Sequence, residues 1–211
     1  MEITPTRYLE YIALVARKIE SDKDYITELD AATGDGDHWA NLNMGFQKLL
    51  DSRAELESLP LGDMFKKIGM LVMSTVGGSS GVLYGSAYLA ASKVIGQRQV
   101  LDINMLCTVL EAELSAIMSR GNARPGFKTM IDSLTPAVDS LKEALESGAD
   151  EIAALKAMKQ GAILGMESTR AMEAIKGRAT YQANKGVGHL DPGAVTMCYQ
   201  LELLADYLSS V

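Results

Sequence analysis

An all-α fold is the expectation for this 211-residue chain, and two observations carry it. Ala, Leu, Met, Glu and Lys recur at helical spacing, whereas alternating β-branched runs are scarce and only three Phe, one Trp and five Pro are present. Thr4-Pro5 starts the first helix as a capping residue followed by Pro at the first helical position, and that helix is expected to reach about Ser21. Further helical periods follow near 38–56, 62–75, 81–95, 102–119, 129–147, 150–176 and 193–209, making eight. In the seventh, Ile152, Leu155, Met158, Ala162 and Met166 step by three or four and share a face. The last repeats the pattern with Met197, Leu201, Leu204 and Leu208, after a turn at Asp191-Pro192-Gly193 that feeds its N-terminus. No repeat or linker divides the chain, so residues 1–211 are read as one helical domain.

Composition excludes several functions. With 20 Lys plus Arg against 27 Asp plus Glu the net charge is −7, which offers no basic field to hold nucleic acid or an anionic membrane surface. Neither partner is expected. A hydrophobic fraction of 47% with 22% charged residues is that of a folded globular chain. Cys107 and Cys198 lie in apolar helical segments without ligand spacing, so they are expected to be buried, reduced thiols. The first residues lack the basic start and apolar run of a signal peptide, and no stretch reaches ~18 uninterrupted apolar residues. A cytoplasmic location is the simplest expectation.

Three loops are unusual for a helical protein. Leu29–His38 holds Asp30, Asp35 and Asp37, the last two alternating with Gly34 and Gly36. Glycines allow backbone shapes that turn carboxylates toward one point, where they repel unless a cation neutralises them. All-oxygen ligands select a hard ion such as Mg²⁺ or Ca²⁺; a solvated loop or a helix cap is the alternative. An EF-hand fails, because counting from Asp35 the sixth position is Ala40 rather than Gly and the twelfth is Phe46 rather than Glu. Val76–Gly81 places Gly-Gly-Ser-Ser-Gly before a helix, where converging N–H groups and the helix dipole could hold an anion. Gly121–Thr129 misses the P-loop pattern by the inserted Phe127 and follows a helix rather than a strand, so it reads as a turn. His38 and His189 are the only histidines, each close to an acidic turn residue. The segment from Lys176 to Gly193 is too long for a mere connection, and Arg178 within it suits either a surface ion pair or a phosphate.

Taken together, Asp30 with Gly-Asp-Gly-Asp-His at 34–38, Gly-Gly-Ser-Ser-Gly at 77–81, Lys-Thr-Met at 128–130, Lys-Gly-Arg-Ala at 176–179 and Gly-His-Leu-Asp-Pro-Gly at 188–193 resemble the nucleotide-binding L subunit of dihydroxyacetone kinases. The resemblance keeps motif order over almost the full length. It implies a closed barrel of eight antiparallel amphipathic helices, with Asp30, Asp35 and Asp37 holding two Mg²⁺ ions that bridge the phosphates of ADP or ATP. It further implies nucleotide contacts from His38, Asn41, Ser79, Ser80, Gly121, Met130, Arg178, Asp191, Pro192 and Gly193. The implied activity is phosphoryl transfer to dihydroxyacetone, or a related small ketose, held on a separate K subunit. In phosphotransferase-dependent members an M subunit recharges retained ADP; others use exchangeable ATP. A nucleotide-loaded regulatory module docking onto a transcription regulator is the other reading. The chain departs from the family pattern at Trp39, Val82, Asn122, Phe127 and 182–186, all in loops expected near the mouth of the site.

Overall fold

In the computed structural model, which describes residues 1–210, the apolar spacing is realised as ten α-helices. These are α1 (Pro5–Ser21), α2 (Lys23–Thr33), α3 (His38–Asp51), α4 (Arg53–Glu57), α5 (Leu61–Thr75), α6 (Gly78–Ile95), α7 (Ile103–Gly121), α8 (Ile131–Glu146), α9 (Glu151–Ser168) and α10 (Pro192–Ser209). Short 3-10 turns lie at Thr169–Ala171 and Arg178–Tyr181, and the sole β-type pairing among the described residues is the isolated bridge between Ile3 and Leu101. Among the described residues no helix is long and apolar enough to cross a membrane.

The expected helices are present, with three differences. Helix α2 was not expected, because only Ile26 supplies it with a buried apolar residue, while the polar Asp30 and Thr33 complete its buried face. An apolar-period reading is blind to such a helix. The expected 38–56 segment divides at Ser52 into α3 and α4, and the expected 150–176 helix stops at Ser168. The ends read from capping chemistry hold: Thr4 Oγ1 accepts from Arg7 N at 3.3 Å, and Asp191 accepts from Ala194 N at 2.8 Å with Pro192 opening α10.

Two units are distinguished by their internal contacts. The first comprises residues 1–17 and 41–122. Here α6 packs on α5 and α7. Gly62 comes so close to the Gly96 carbonyl that a Cβ would overlap it, and Gly69 lies 3.0 Å, measured from an ideal Cβ, from the Gly85 carbonyl. Tyr8, Phe65 and Tyr88 stack in series with ring centroids 4.5 and 5.6 Å apart, and the Tyr8 hydroxyl donates to the Tyr88 hydroxyl at 3.0 Å. Burying side chains such as Phe65 and Ile68 contributes about 1.5–3 kcal/mol each. Cys107 is buried and is not in a disulfide.

The second unit comprises residues 18–40 and the chain from Ala123 onward. Its centre is α8 against α9, with α10 packed on both and on α2. Pro136 lies inside α8 and has no N–H to offer the Asp132 carbonyl. That carbonyl faces Gly165 of α9, where any side chain would overlap it, and Ser133 Oγ donates to the Ala162 carbonyl at 3.0 Å. Tyr199 of α10 donates to Asp22 at 2.8 Å, and Trp39 Nε1 donates to the Ile19 carbonyl at 2.9 Å, which anchors the segment preceding and following α2. Cys198 is likewise buried and outside any disulfide, and burial pushes its thiol pKa up to about 12.

Candidate functional site

Asp30 sits in the last turn of α2, not in a loop, and its carboxylate is buried. The chain leaves the helix through Gly34, where a side chain would come 2.5 Å from Asp30 Oδ1, and reverses at Gly36 with φ +77°. Asp30 Oδ2 then accepts from the backbone N–H of His38, the first residue of α3, at 3.0 Å. This back-reaching bond satisfies one of the free donors at the start of α3 and folds 34–37 into a tight turn. As a result one carboxylate oxygen from each of Asp30, Asp35 and Asp37 lies within 4.8 Å of the others, with Asp35 and Asp37 exposed. Three hard anionic oxygens at that separation, one on a helix and two on a glycine-bounded turn, fit a Mg²⁺-type ion and no soft metal.

Around this cluster the second unit assembles four further features. Arg178 Nη2 pairs with Asp35 Oδ2 at 2.7 Å. Gln182 Nε2 donates to the Ala32 carbonyl at 2.6 Å, fastening the same 3-10 segment to the end of α2. His38 Nε2 lies 2.9 Å from Thr196 Oγ1 on α10, and Thr196 Oγ1 is itself 3.1 Å from the Pro192 carbonyl, so the ring is hydrogen-bonded to the first turns of α10. Burial holds the His38 pKa below its ordinary value, against the opposing pull of Asp30 and Asp37, which keeps the ring neutral near pH 7. Finally, an ideal Cβ at Gly193 would lie 3.0 Å from Asp191 Oδ2 and 3.6 Å from Met130 N, so the start of α10 and the start of α8 adjoin without room for a side chain. Burial raises the Asp191 carboxyl to about 7, opposed by its cap bond to Ala194.

The remaining expected residues belong to the first unit. Gly77 touches Asn41 Oδ1, which an ideal Cβ there would approach to 2.5 Å, and Gly78 adopts φ +64°. Ser79 and Ser80 are in the first turn of α6, an 18-residue helix, so their backbone N–H groups are among its unpaired donors. Gly121 ends α7, followed by Asn122 in the left-handed region.

Several participants escape a sequence reading. Thr196 lies among the apolar residues of α10, and only its spacing of five from Asp191 marks it as facing the helix start. Lys128 stands in the Lys-Thr-Met motif, but nothing in its composition announces that it is buried, with Nζ donating to two backbone carbonyls. Asp132 accepts from Gly126 N and Thr129 N and so shapes the turn before α8.

The DAK2 domain profile matches residues 32–206, and the chain belongs to the DAK2 domain family. It is 33% identical over 205 residues to the "PEP-dependent dihydroxyacetone kinase, ADP-binding subunit DhaL" of Escherichia coli K12, covering 97% of this chain and 98% of that one. It is 37% identical to the corresponding subunit of kinase 1 from Listeria innocua, over 88% of each. Among solved structures it resembles the dihydroxyacetone kinase of C. freundii in complex with AMP-PNP and Mg²⁺, with a TM-score of 0.72 and 27% identity over 94% of this chain. The chain spans about a third of that enzyme's length, 33%.

Proposed function

We propose that this chain is the nucleotide-binding, phosphoryl-transferring subunit of a dihydroxyacetone kinase. The observation that carries the proposal is the convergence of Asp30, Asp35 and Asp37, with Arg178 beside them. A protein of net charge −7 gains nothing from holding polyphosphate directly, whereas an acidic triad loaded with Mg²⁺ presents positive charge at one point. Bound Mg²⁺ would supply charge neutralisation for the transferred phosphoryl group. The family's pattern assigns two ions to the three carboxylates. The protein's own residues do the rest: Asp30 is held by the His38 amide, the His38 ring is hydrogen-bonded to Thr196, and Arg178 is positioned to exchange its carboxylate partner for a phosphate oxygen. Met130 and Asp191-Pro192-Gly193 form the nucleoside side. Asn41, Ser79, Ser80 and Gly121 carry the phosphate and nucleoside contacts that the family pattern assigns to them.

The relatives named as ADP-binding subunits support ADP as the resident nucleotide, and those named PEP- or PTS-dependent support recharging by a phosphotransferase M subunit. The acceptor ketose is held and activated by a separate K subunit, and the assembly works in the cytoplasm. The test is mass spectrometry of the denatured purified protein, followed by phosphate transfer to dihydroxyacetone with a K subunit. Near-stoichiometric ADP that resists dialysis, and turnover, are expected. An empty protein that binds ATP reversibly and turns over would identify an ATP-dependent kinase subunit. Absence of nucleotide binding in the presence of Mg²⁺ refutes the assignment.

A further inference from the structure

The loop between α9 and α10 carries Arg178 and ends at Asp191, yet it has little regular structure of its own beyond two 3-10 turns. Backbone bonds cross it, from Gly188 N to the Arg170 carbonyl at 2.8 Å and from Ala174 N to the Lys185 carbonyl at 2.9 Å, and its ends are also fastened from outside. Lys128, in the turn before α8, is buried although its backbone has φ +60°, a conformation that non-glycine residues adopt only when their surroundings enforce it. Its Nζ donates to the Thr169 carbonyl at 2.5 Å and the His189 carbonyl at 2.6 Å, bridging the two ends of that loop. Thr169 Oγ1 accepts from Asp191 N at 3.0 Å and closes the same junction. The Lys128 stem supports the middle of the loop: a Cβ at Gly186 would lie 3.1 Å from Lys128 Cε, 3.2 Å from Ala179 Cβ and 3.4 Å from Thr33 Cγ2. Ala179 adjoins Arg178, and Thr33 ends the helix that carries Asp30. Asp191 and Asp132 face the ammonium with opposite charge and Arg170 with like charge.

We propose that Lys128 is a positioning residue: its ammonium pins both ends of the 169–191 loop, and its stem seats the segment that holds Arg178 against the carboxylate cluster. Lys128 does not touch phosphate in this role. It acts through Arg178 and through the backbone entering α10. The inference rests on the nucleotide reading above for its consequence but not for its structural content, so the experiment separates the two.

Hydrogen exchange is measured first on nucleotide-free wild type and Lys128→Met. Two backbone carbonyls, that of Thr169 buried, lose their donor, so exchange across 169–191 is expected to rise about tenfold or more, with α5 to α7 unchanged. Titration with Mg·ADP is expected to show affinity about tenfold weaker for the same reason. Lys128→Ala is then titrated in the presence of ethylammonium, which can re-enter the vacated space and donate hydrogen bonds, and separately with tetramethylammonium, which cannot. Ethylammonium alone should restore protection and affinity. The proposal is overturned if Lys128→Met leaves exchange in 169–191 within about twofold of wild type, if it unfolds the whole chain, or if both cations rescue equally. Failure of wild type to bind Mg·ADP would instead refute the nucleotide reading and leave the exchange result to judge Lys128.

Discussion

The guanidinium of Arg178 lies 2.7 Å from Asp35 Oδ2, so a cation paired with the acidic triad is mounted on the same irregular segment that Lys128 fastens. Both partners are substantially exposed, at 59% and 38% of the side chain, so the pair is held weakly and is easily exchanged. On the proposed metal assignment, a metal would compete with Arg178 for that carboxylate oxygen. Arg178→Gln is therefore expected to bind Mg²⁺ alone at least as well as wild type, yet to bind Mg·ADP about tenfold more weakly, since a charge-assisted phosphate contact is lost. Paired calorimetric titrations check this, and equal loss for both ligands would assign Arg178 to structure rather than phosphate.

Asp35→Asn tests the triad itself. The amide is nearly isosteric and the side chain is exposed, so the melting temperature should change little. On the proposed metal assignment one of three anionic ligands would be removed, and Mg·ADP affinity should fall about tenfold or more. Trp39, the only tryptophan, follows His38 and packs beneath Lys23 with Nζ 4.8 Å from its ring, so its fluorescence can follow the same titration. Unaltered Mg·ADP affinity in Asp35→Asn would remove this carboxylate from the site.

The convergence of Asp30, Asp35 and Asp37 was legible in sequence because glycine at 34 and 36 lets a short turn bring neighbouring carboxylates toward one point. Both helix starts at Pro5 and Pro192 were legible for the same reason: capping is a short-range rule. Helix α2 was not, since its buried face consists of Ile26 with Asp30 and Thr33, and the partner that makes a buried Asp tolerable is the His38 amide beyond the turn. The role of Thr196 depends on His38, 158 positions away. Lys128 reads as a surface lysine until the carbonyls of Thr169 and His189 are brought to it by the packing of α8, α9 and α10. Interactions that join distant segments leave no periodic mark.

Close packing of α8 and α9 makes Gly165 a sensitive position. A Cβ there would overlap the carbonyl oxygen of Asp132, a backbone atom that can move only if the helices separate. Gly165→Ala should destabilise the protein by about 1–3 kcal/mol, and because Asp132 holds the turn at 126–129, it should also loosen that turn. Gly148→Ala is the contrast: it has open space but φ +81°, so its cost is confined to about 1 kcal/mol of backbone strain. Urea unfolding of both variants checks the order, and an equal or smaller effect at Gly165 would contradict the close approach.

Glu113 offers a prediction in pH. It lies on α7, and Tyr8, Tyr11 and Tyr88, from α1 and α6, feel its charge; no cation is among the groups that shift it. Burial raises its carboxyl from the ordinary 4.5 to about 8. Because the folded pKa lies above the unfolded one, the folded chain retains a proton that the unfolded chain has released between those values. The contribution to stability is thus complete below about pH 4.5 and is lost progressively as the pH rises to about 8. Gln mimics the protonated carboxyl in shape and carries no charge at any pH. Glu113→Gln should match wild type in melting temperature at pH 5, and should exceed it at pH 8.5 by a margin equivalent to about 1–3 kcal/mol, after allowance for the partial exposure of the side chain. Thermal unfolding of the two proteins across that range is the measurement, and a difference independent of pH would show that Glu113 is ionised in the folded protein throughout.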